Sequence, residues 1–152
     1  MQIPLEARVE DLRLKLHRRG HRITPQRLSI LQALLAANSH PSAEEIYAQV
    51  RLVSPTTSLA TVYKTLDTLR EMGEVLELSP GDGRQHYDGV RPQFHPHLVC
   101  TSCGEIRDVD IDGLSGLPEL ASSVSGYEVH AQRVEFYGLC PQCRAKQKAT
   151  DE

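Results

Sequence analysis

The sequence predicts an α+β chain of two unequal parts. A helical first half closes on a β-hairpin, and a smaller second half is stapled by a metal ion. Three observations predict this. Apolar residues recur at three- and four-residue spacing as far as Gly73. Two short runs then flank the turn residues Pro-Gly-Asp-Gly. Finally, the cysteines stand in two Cys-x-x-Cys pairs.

Taken in order, residues 7–18 form an amphipathic helix with Val9, Leu12 and Leu16 on one face, ending at Gly20. Thr24 caps a second helix, Pro25 takes its first position, and Leu28, Leu31, Leu34 and Leu35 form its buried stripe. His40-Pro41 leads to a third helix. Ser42 opens it with Glu45 three residues later, the pattern of a capping box, and Ala43, Ile46, Tyr47 and Val50 face inward. After VSPTTS a fourth helix runs over residues 58–72. Leu59, Val62, Leu66 and Leu69 point to the core, Ser58, Thr61, Lys64 and Thr65 point away, and Tyr63 lies at the margin. Gly73 stops this helix, and VLELS and RQHYD make the hairpin around PGDG. Three short helices, a fourth with a polar outer face and a hairpin describe a winged helix over residues 1–88.

GVRPQF, residues 89–94, reads as a linker. Residues 95–152 then give short strands in HLVC and EIRDVD, a helix in DGLSGLPELASSVSG, and a longer alternating strand from Tyr127 to Tyr137. The tail AKQKATDE is expected to be disordered. This half is too small to bury much of its own surface, so it needs a metal or a partner chain for stability.

Composition narrows the class. Of 152 residues 39% are hydrophobic, yet no apolar run approaches the ~18 residues of a membrane span, and MQIPLEARVEDLR lacks the apolar core of a signal peptide. A soluble, cytoplasmic protein is expected, in which four cysteines favour metal thiolates over disulfides. The net charge of −3 speaks against nucleic acid as a partner, but its distribution does not. Residues 8–27 carry seven basic side chains (Arg8, Arg13, Lys15, Arg18, Arg19, Arg22, Arg27) against Glu10 and Asp11, enough for either a phosphate-binding patch or a solvated helix face.

Cys100-Thr-Ser-Cys103 and Cys140-Pro-Gln-Cys143 each present two thiols from a tight turn, with 36 residues between the pairs. Four thiolates and no open position make a closed, structural Zn²⁺ site. A reactive dithiol, or buried cysteines without a ligand, are the other readings. Zinc deaminases also use Pro-Cys-x-x-Cys, but their His-x-Glu motif is absent. If zinc takes the cysteines, His95 and His97 are left for another purpose. On alternate strand positions their rings can share a side, with Asp88 and Asp108 as nearby oxygen donors. That mixture suits Fe²⁺, Mn²⁺ or Zn²⁺; two surface or otherwise satisfied histidines are the bland alternative.

HRITPQRLSILQAL, HPSAEEIY, SLATVYKTLDTLREMG, HLVCTSCGEIRDVD and YGLCPQC, in that order over residues 8–143, resemble the ferric uptake regulator family. The resemblance implies a homodimer of winged-helix DNA-binding halves joined through a small α/β dimerisation domain, with the four cysteines on structural Zn²⁺. It also implies a regulatory Fe²⁺ or Mn²⁺ at His40, Asp88, His95, His97 and Asp108, and DNA binding when that ion is bound. His40 enters only through the resemblance. Aspartate at both 88 and 108 is similar to the peroxide-sensing members, in which iron-catalysed oxidation of a ligand histidine (here His40 or His95) releases DNA. Phe94 and Pro96 occupy positions where other members carry ligands of a further site, so that site is expected to be lost, with His130 a plain strand residue. The stretch from Asp88 to His95 is one residue longer than in the peroxide sensors. A manganese- or iron-responsive repressor of metal uptake genes is therefore the alternative.

For such a regulator the expected partner is a two-fold symmetric double-stranded operator. Ser58, Thr61, Tyr63 and Lys64 would enter the major groove, and Arg18, Arg19 and Arg22 would contact phosphates or the minor groove. No membrane partner is expected, and hydrogen peroxide is the only small reactant. Two rivals belong to other classes. A metalloenzyme lacks an obviously placed general base or nucleophile, and a zinc-stabilised interaction module would leave the basic N-terminus merely solvated.

Overall fold

In the computed structural model, which describes residues 3–36 and 40–151, the helical signals of the first half become four helices. They are α1 (Leu5–Arg18), α2 (Pro25–Ala36), α3 (Ala43–Val53) and α4 (Leu59–Glu71). The chain divides into two compact units, Met1–Pro92 and Gln93–Glu152. Residues 1–2, 37–39 and 152, including the last residue of the expected tail, lie outside the described residues.

In the first unit the helix ends are written locally. The Arg27 amide donates to Thr24 Oγ1 at 3.2 Å, and Ser42 and Glu45 close the capping box from both sides. Ser58 caps α4 through the Thr61 amide. Gly73 takes φ 73°, and its amide and that of Glu74 donate to the Arg70 and Leu69 carbonyls, so the last turn of α4 is satisfied by a left-handed cap. Strands β1 (Leu76–Leu78) and β2 (His86–Asp88) pair antiparallel with Leu76 opposite Asp88 and Leu78 opposite His86. Four helices and this hairpin form the winged helix.

Its core is apolar and dense. Leu12, Leu16, Ile30, Leu31, Leu34, Ile46, Val62, Leu66 and Leu69 are at most 1% exposed, each burial contributing ~1.5–3 kcal/mol before chain entropy is subtracted. Two expectations change here. Thr65 lies in the core, where its hydroxyl donates to the Thr61 carbonyl at 2.9 Å and so satisfies itself within the helix. Gly89, expected in the linker, packs on α2: a Cβ there would meet Leu34 Cδ2 at 2.9 Å.

The second unit carries β3 (His97–Cys100), β4 (Ile106–Asp108), α5 (Leu117–Ser125), β5 (Glu135–Gly138) and α6 (Pro141–Thr150). Its sheet has the order β4-β3-β5, with β3 antiparallel to β4 and parallel to β5. The parallel pair needs a crossover, which the segment containing α5 supplies. The expected long strand over 127–137 is a four-residue β5, because the ladder to β3 begins only at Glu135, opposite His97. The tail expected to be disordered is instead helical to Thr150: Pro141 sits at its first position and the Cys140 sulfur accepts from the Cys143 amide. Val99, Cys100 and Ile106 are this unit's buried hydrophobic residues, and α5 buries none. Among the described residues no helix is long and apolar enough to cross a membrane.

Candidate metal centres and nucleic-acid interface

Strand register assembles the cysteine site. Pairing β3 with β5 sets Cys100 opposite Gly138, so both Cys-x-x-Cys turns leave the same end of the sheet. The Thr101 amide donates to the Gly138 carbonyl at 2.8 Å, and the Cys140 amide to the Cys100 sulfur at 3.3 Å. All four sulfurs lie within 4.8 Å of one another, and none is in a disulfide. Tetrahedral zinc with Zn–S bonds of ~2.3 Å holds its sulfurs about 3.8 Å apart; Cys103 and Cys140 stand 3.9 Å apart already. Backbone amides of Cys103 and Cys140 bring the Cys100 thiol down to about 6. Although the Glu105 amide favours its thiolate, the crowding sulfurs of Cys100, Cys143 and Cys140 push Cys103 up to about 11. A cluster that resists collecting negative charge on sulfur is relieved by a divalent cation. The donor set fits Zn²⁺.

In the first unit, His40 and Asp88 meet. The residues after His40 run beside β2: the Tyr87 amide donates to the Pro41 carbonyl at 2.9 Å, and Ser42 bridges to His86. His40 Nε2 thereby stands 3.3 Å from Asp88 Oδ2. The other carboxylate oxygen accepts from the amides of Val90 and Arg91 at 3.0 and 2.9 Å. These donors order the buried carboxylate and fix which oxygen faces the imidazole.

In the second unit, His95 and His97 are 3% and 2% exposed, with ring centroids 4.3 Å apart. Register sets Asp108 opposite His97. Its Oδ1 lies 3.1 Å from His95 Nε2 and 3.4 Å from His97 Nε2. His95 Nδ1 donates to the Gln93 carbonyl at 2.8 Å, which turns Nε2 toward the carboxylate, as the outer partner of a ligating histidine does. Both groupings combine imidazole and carboxylate without thiolate, the chemistry of Fe²⁺, Mn²⁺ or Zn²⁺.

The residues expected at nucleic acid fare unequally. Arg18, Arg19, Arg22 and Lys64 are exposed. Ser58 and Thr61 share a 2.9 Å hydroxyl contact within the cap of α4, and the Tyr63 hydroxyl donates to Glu44 Oε1 at 2.6 Å, leaving its ring half-buried. Three of the seven basic residues of 8–27 are spent on carboxylates: Arg13 on Glu10, Lys15 on Asp11 and Glu74, and Arg8 on Asp11 and Glu74. The patch is narrower than the charge count implies. Sequence reasoning also missed His86, whose ring touches the His40 main chain.

The ferric uptake regulator family model matches residues 18–137. The chain belongs to that family. It is 41% identical over 128 residues to the peroxide operon regulator of Bacillus subtilis strain 168, a match covering 84% of this chain and 88% of that one. The structure of the Campylobacter jejuni peroxide stress regulator is 33% identical, with a TM-score of 0.65 and coverage of 89% and 98% of the two chains. That of the Helicobacter pylori ferric uptake regulator Fur, at 22% identity, shares the fold with a TM-score of 0.74 over 94% of this chain and 95% of that one.

Proposed function

We propose that this member of the family is a metal-dependent, DNA-binding transcriptional repressor that responds to peroxide, and that it acts as a cytoplasmic homodimer rather than as an enzyme. The observation that carries the metal dependence is the pair of imidazole–carboxylate groupings, His40 with Asp88 and His95 and His97 with Asp108. One regulatory ion would take all five, drawing two ligands from the winged helix and three from the second unit. The peroxide response is supported by aspartate at both 88 and 108 and by the similarity to a peroxide operon regulator. Homodimer formation is supported by the apolar residues that the second unit leaves exposed, Leu120, Val124, Tyr127 and Tyr137 among them.

Each residue set has its task. Cys100, Cys103, Cys140 and Cys143 would hold structural Zn²⁺ and so fix the sheet end from which β3 and β5 emerge. His40 and Asp88 would tie the winged helix to the ion, holding α4 at the spacing of a two-fold operator. Lys64 and the ring of Tyr63 would read the major groove, and Arg18, Arg19 and Arg22 would meet phosphates. A bound Fe²⁺ would supply redox chemistry toward peroxide beside the ligand imidazoles, which bound Mn²⁺ would not. Loss of His40 or His95 as a ligand would free the winged helix and release DNA.

A gel-shift titration with Fe²⁺, Mn²⁺ and Zn²⁺ tests the repressor reading. Operator binding should require a regulatory ion. His40→Ala should lose at least about tenfold in affinity while its zinc content stays unchanged. Equal affinity in that variant removes His40 from the site, and binding that ignores metal removes the reading. Mass spectrometry of the iron-loaded protein after mild peroxide should find one added oxygen on His40 or His95. Oxidation confined to cysteines, or none at all while DNA binding survives, removes the peroxide-sensing reading.

A further inference from the structure

His86 is a buried imidazole that the metal reading leaves without a role. It lies on β2, two residues before Asp88, and is 7% exposed. Its Nδ1 stands 2.7 Å from the main-chain oxygen of His40, and its Nε2 2.7 Å from Asp82 Oδ2 in the loop of the wing. A carbonyl only accepts, so Nδ1 donates to the His40 oxygen, while Nε2 faces the Asp82 carboxylate. Partial burial raises the Asp82 carboxyl, but the His86 ring and the Arg84 amide outweigh it and hold the group below its usual range. Alongside run the Tyr87 to Pro41 hydrogen bond and the Ser42–His86 bridge. The loop that bears His40 is thus sewn to the strand that bears Asp88, and the His86 ring is a side-chain stitch in that seam.

We propose that His86 is a positioning residue for the regulatory metal: anchored by Asp82, it fixes the main chain of His40 so that the His40 imidazole stands beside Asp88 before the ion arrives. This rests on the metal reading above. The physical gain is preorganisation. A ligand loop already ordered loses little further conformational entropy when it binds. It is also orientation, since partners one step removed from a metal set the angle at which its ligands point.

Two amides separate the two ends of the ring. In His86→Asn the side-chain amide sits near the position of Nδ1 and keeps a donor for the His40 carbonyl. In His86→Gln it sits near Nε2, keeping Asp82 and missing the carbonyl. Mn²⁺ titration of the zinc-loaded proteins, followed by electron paramagnetic resonance, should show His86→Gln weakened at least about tenfold and His86→Asn by less than about threefold. Exchange of the Tyr87 amide proton, followed by NMR without regulatory ion, should quicken in the Gln variant and hold in the Asn variant. Asp82→Asn, at a half-exposed loop position that leaves the core intact, should cost about threefold in Mn²⁺ affinity. Unchanged Mn²⁺ affinity in His86→Gln, equal losses in both His86 variants, or no effect of Asp82→Asn overturns the proposal. Wild-type protein that takes up no Mn²⁺ beyond its zinc overturns the metal reading along with it. Wild-type protein that binds, beside a Gln variant that binds alike, overturns the proposal alone.

Discussion

Arg8 joins the first helix of the winged unit to the far end of its hairpin. Its Nε donates to the Gly89 carbonyl at 3.0 Å, Nη2 to the Glu74 carbonyl, and Nη1 to the carboxylates of Asp11 and Glu74. The side chain is 8% exposed and Glu74 17%, so these are not the weak pairs of an open surface. Arg8→Ala should lower the urea unfolding free energy of the winged unit by about 2–3 kcal/mol; a loss below about 1 kcal/mol would mean that water replaces the guanidinium there. The sequence offered only half of this. The three-residue spacing to Asp11 is visible, but Glu74 is 66 residues away, and Arg8 therefore reads as one more charge in a basic patch. His86 is still less legible, because its partners are a main-chain oxygen and a carboxylate in a turn, neither of which leaves a pattern. His40 became legible only through resemblance; no local spacing announces it.

At the scale of elements, those whose ends are capped were readable. Thr24-Pro25, the Ser42–Glu45 box, Ser58 and Gly73 all act within a few residues of where they are written. Elements that depend on distant pairing were readable only in part: HLVC and EIRDVD become β3 and β4, but the extent of β5 was not legible. Alternation from Tyr127 onward suggests a long strand, but a strand extends only as far as its neighbour, and β3 offers four residues to β5. The polar tail has no apolar stripe, yet α6 forms because it begins on a zinc-site cysteine and a proline. Stripping zinc with a chelator should therefore abolish the circular-dichroism signal of the ten-residue α6 and expose β5 to amide exchange, while α1 to α4 retain theirs. If α6 survives chelation, the helix stands on its own and the cysteines do not organise it.

Across the whole molecule, the two units are stabilised by different means. Among the described residues the winged helix buries sixteen hydrophobic residues and the second unit three, so the first should answer chiefly to temperature and denaturant, the second to zinc and to a partner over α5. The shortness of the second half already pointed to a small buried core there. What covers the exposed apolar residues was available only from resemblance, since such a face carries no label for its partner. Gly89 adds a constraint of another kind. It lies flush against Leu34 and Leu35, and its carbonyl is held by Arg8, immediately after Asp88. A Cβ there would meet Leu34 Cδ2 at 2.9 Å and Leu34 Cγ and Leu35 Cδ2 at 3.0 Å, so either those side chains or the strand end that carries Asp88 must give. Mutational drift in the interior of this protein is thus answerable to its chemistry. On the proposed site, a substitution at Gly89 that moved the strand end would also move the Asp88 carboxylate beside His40.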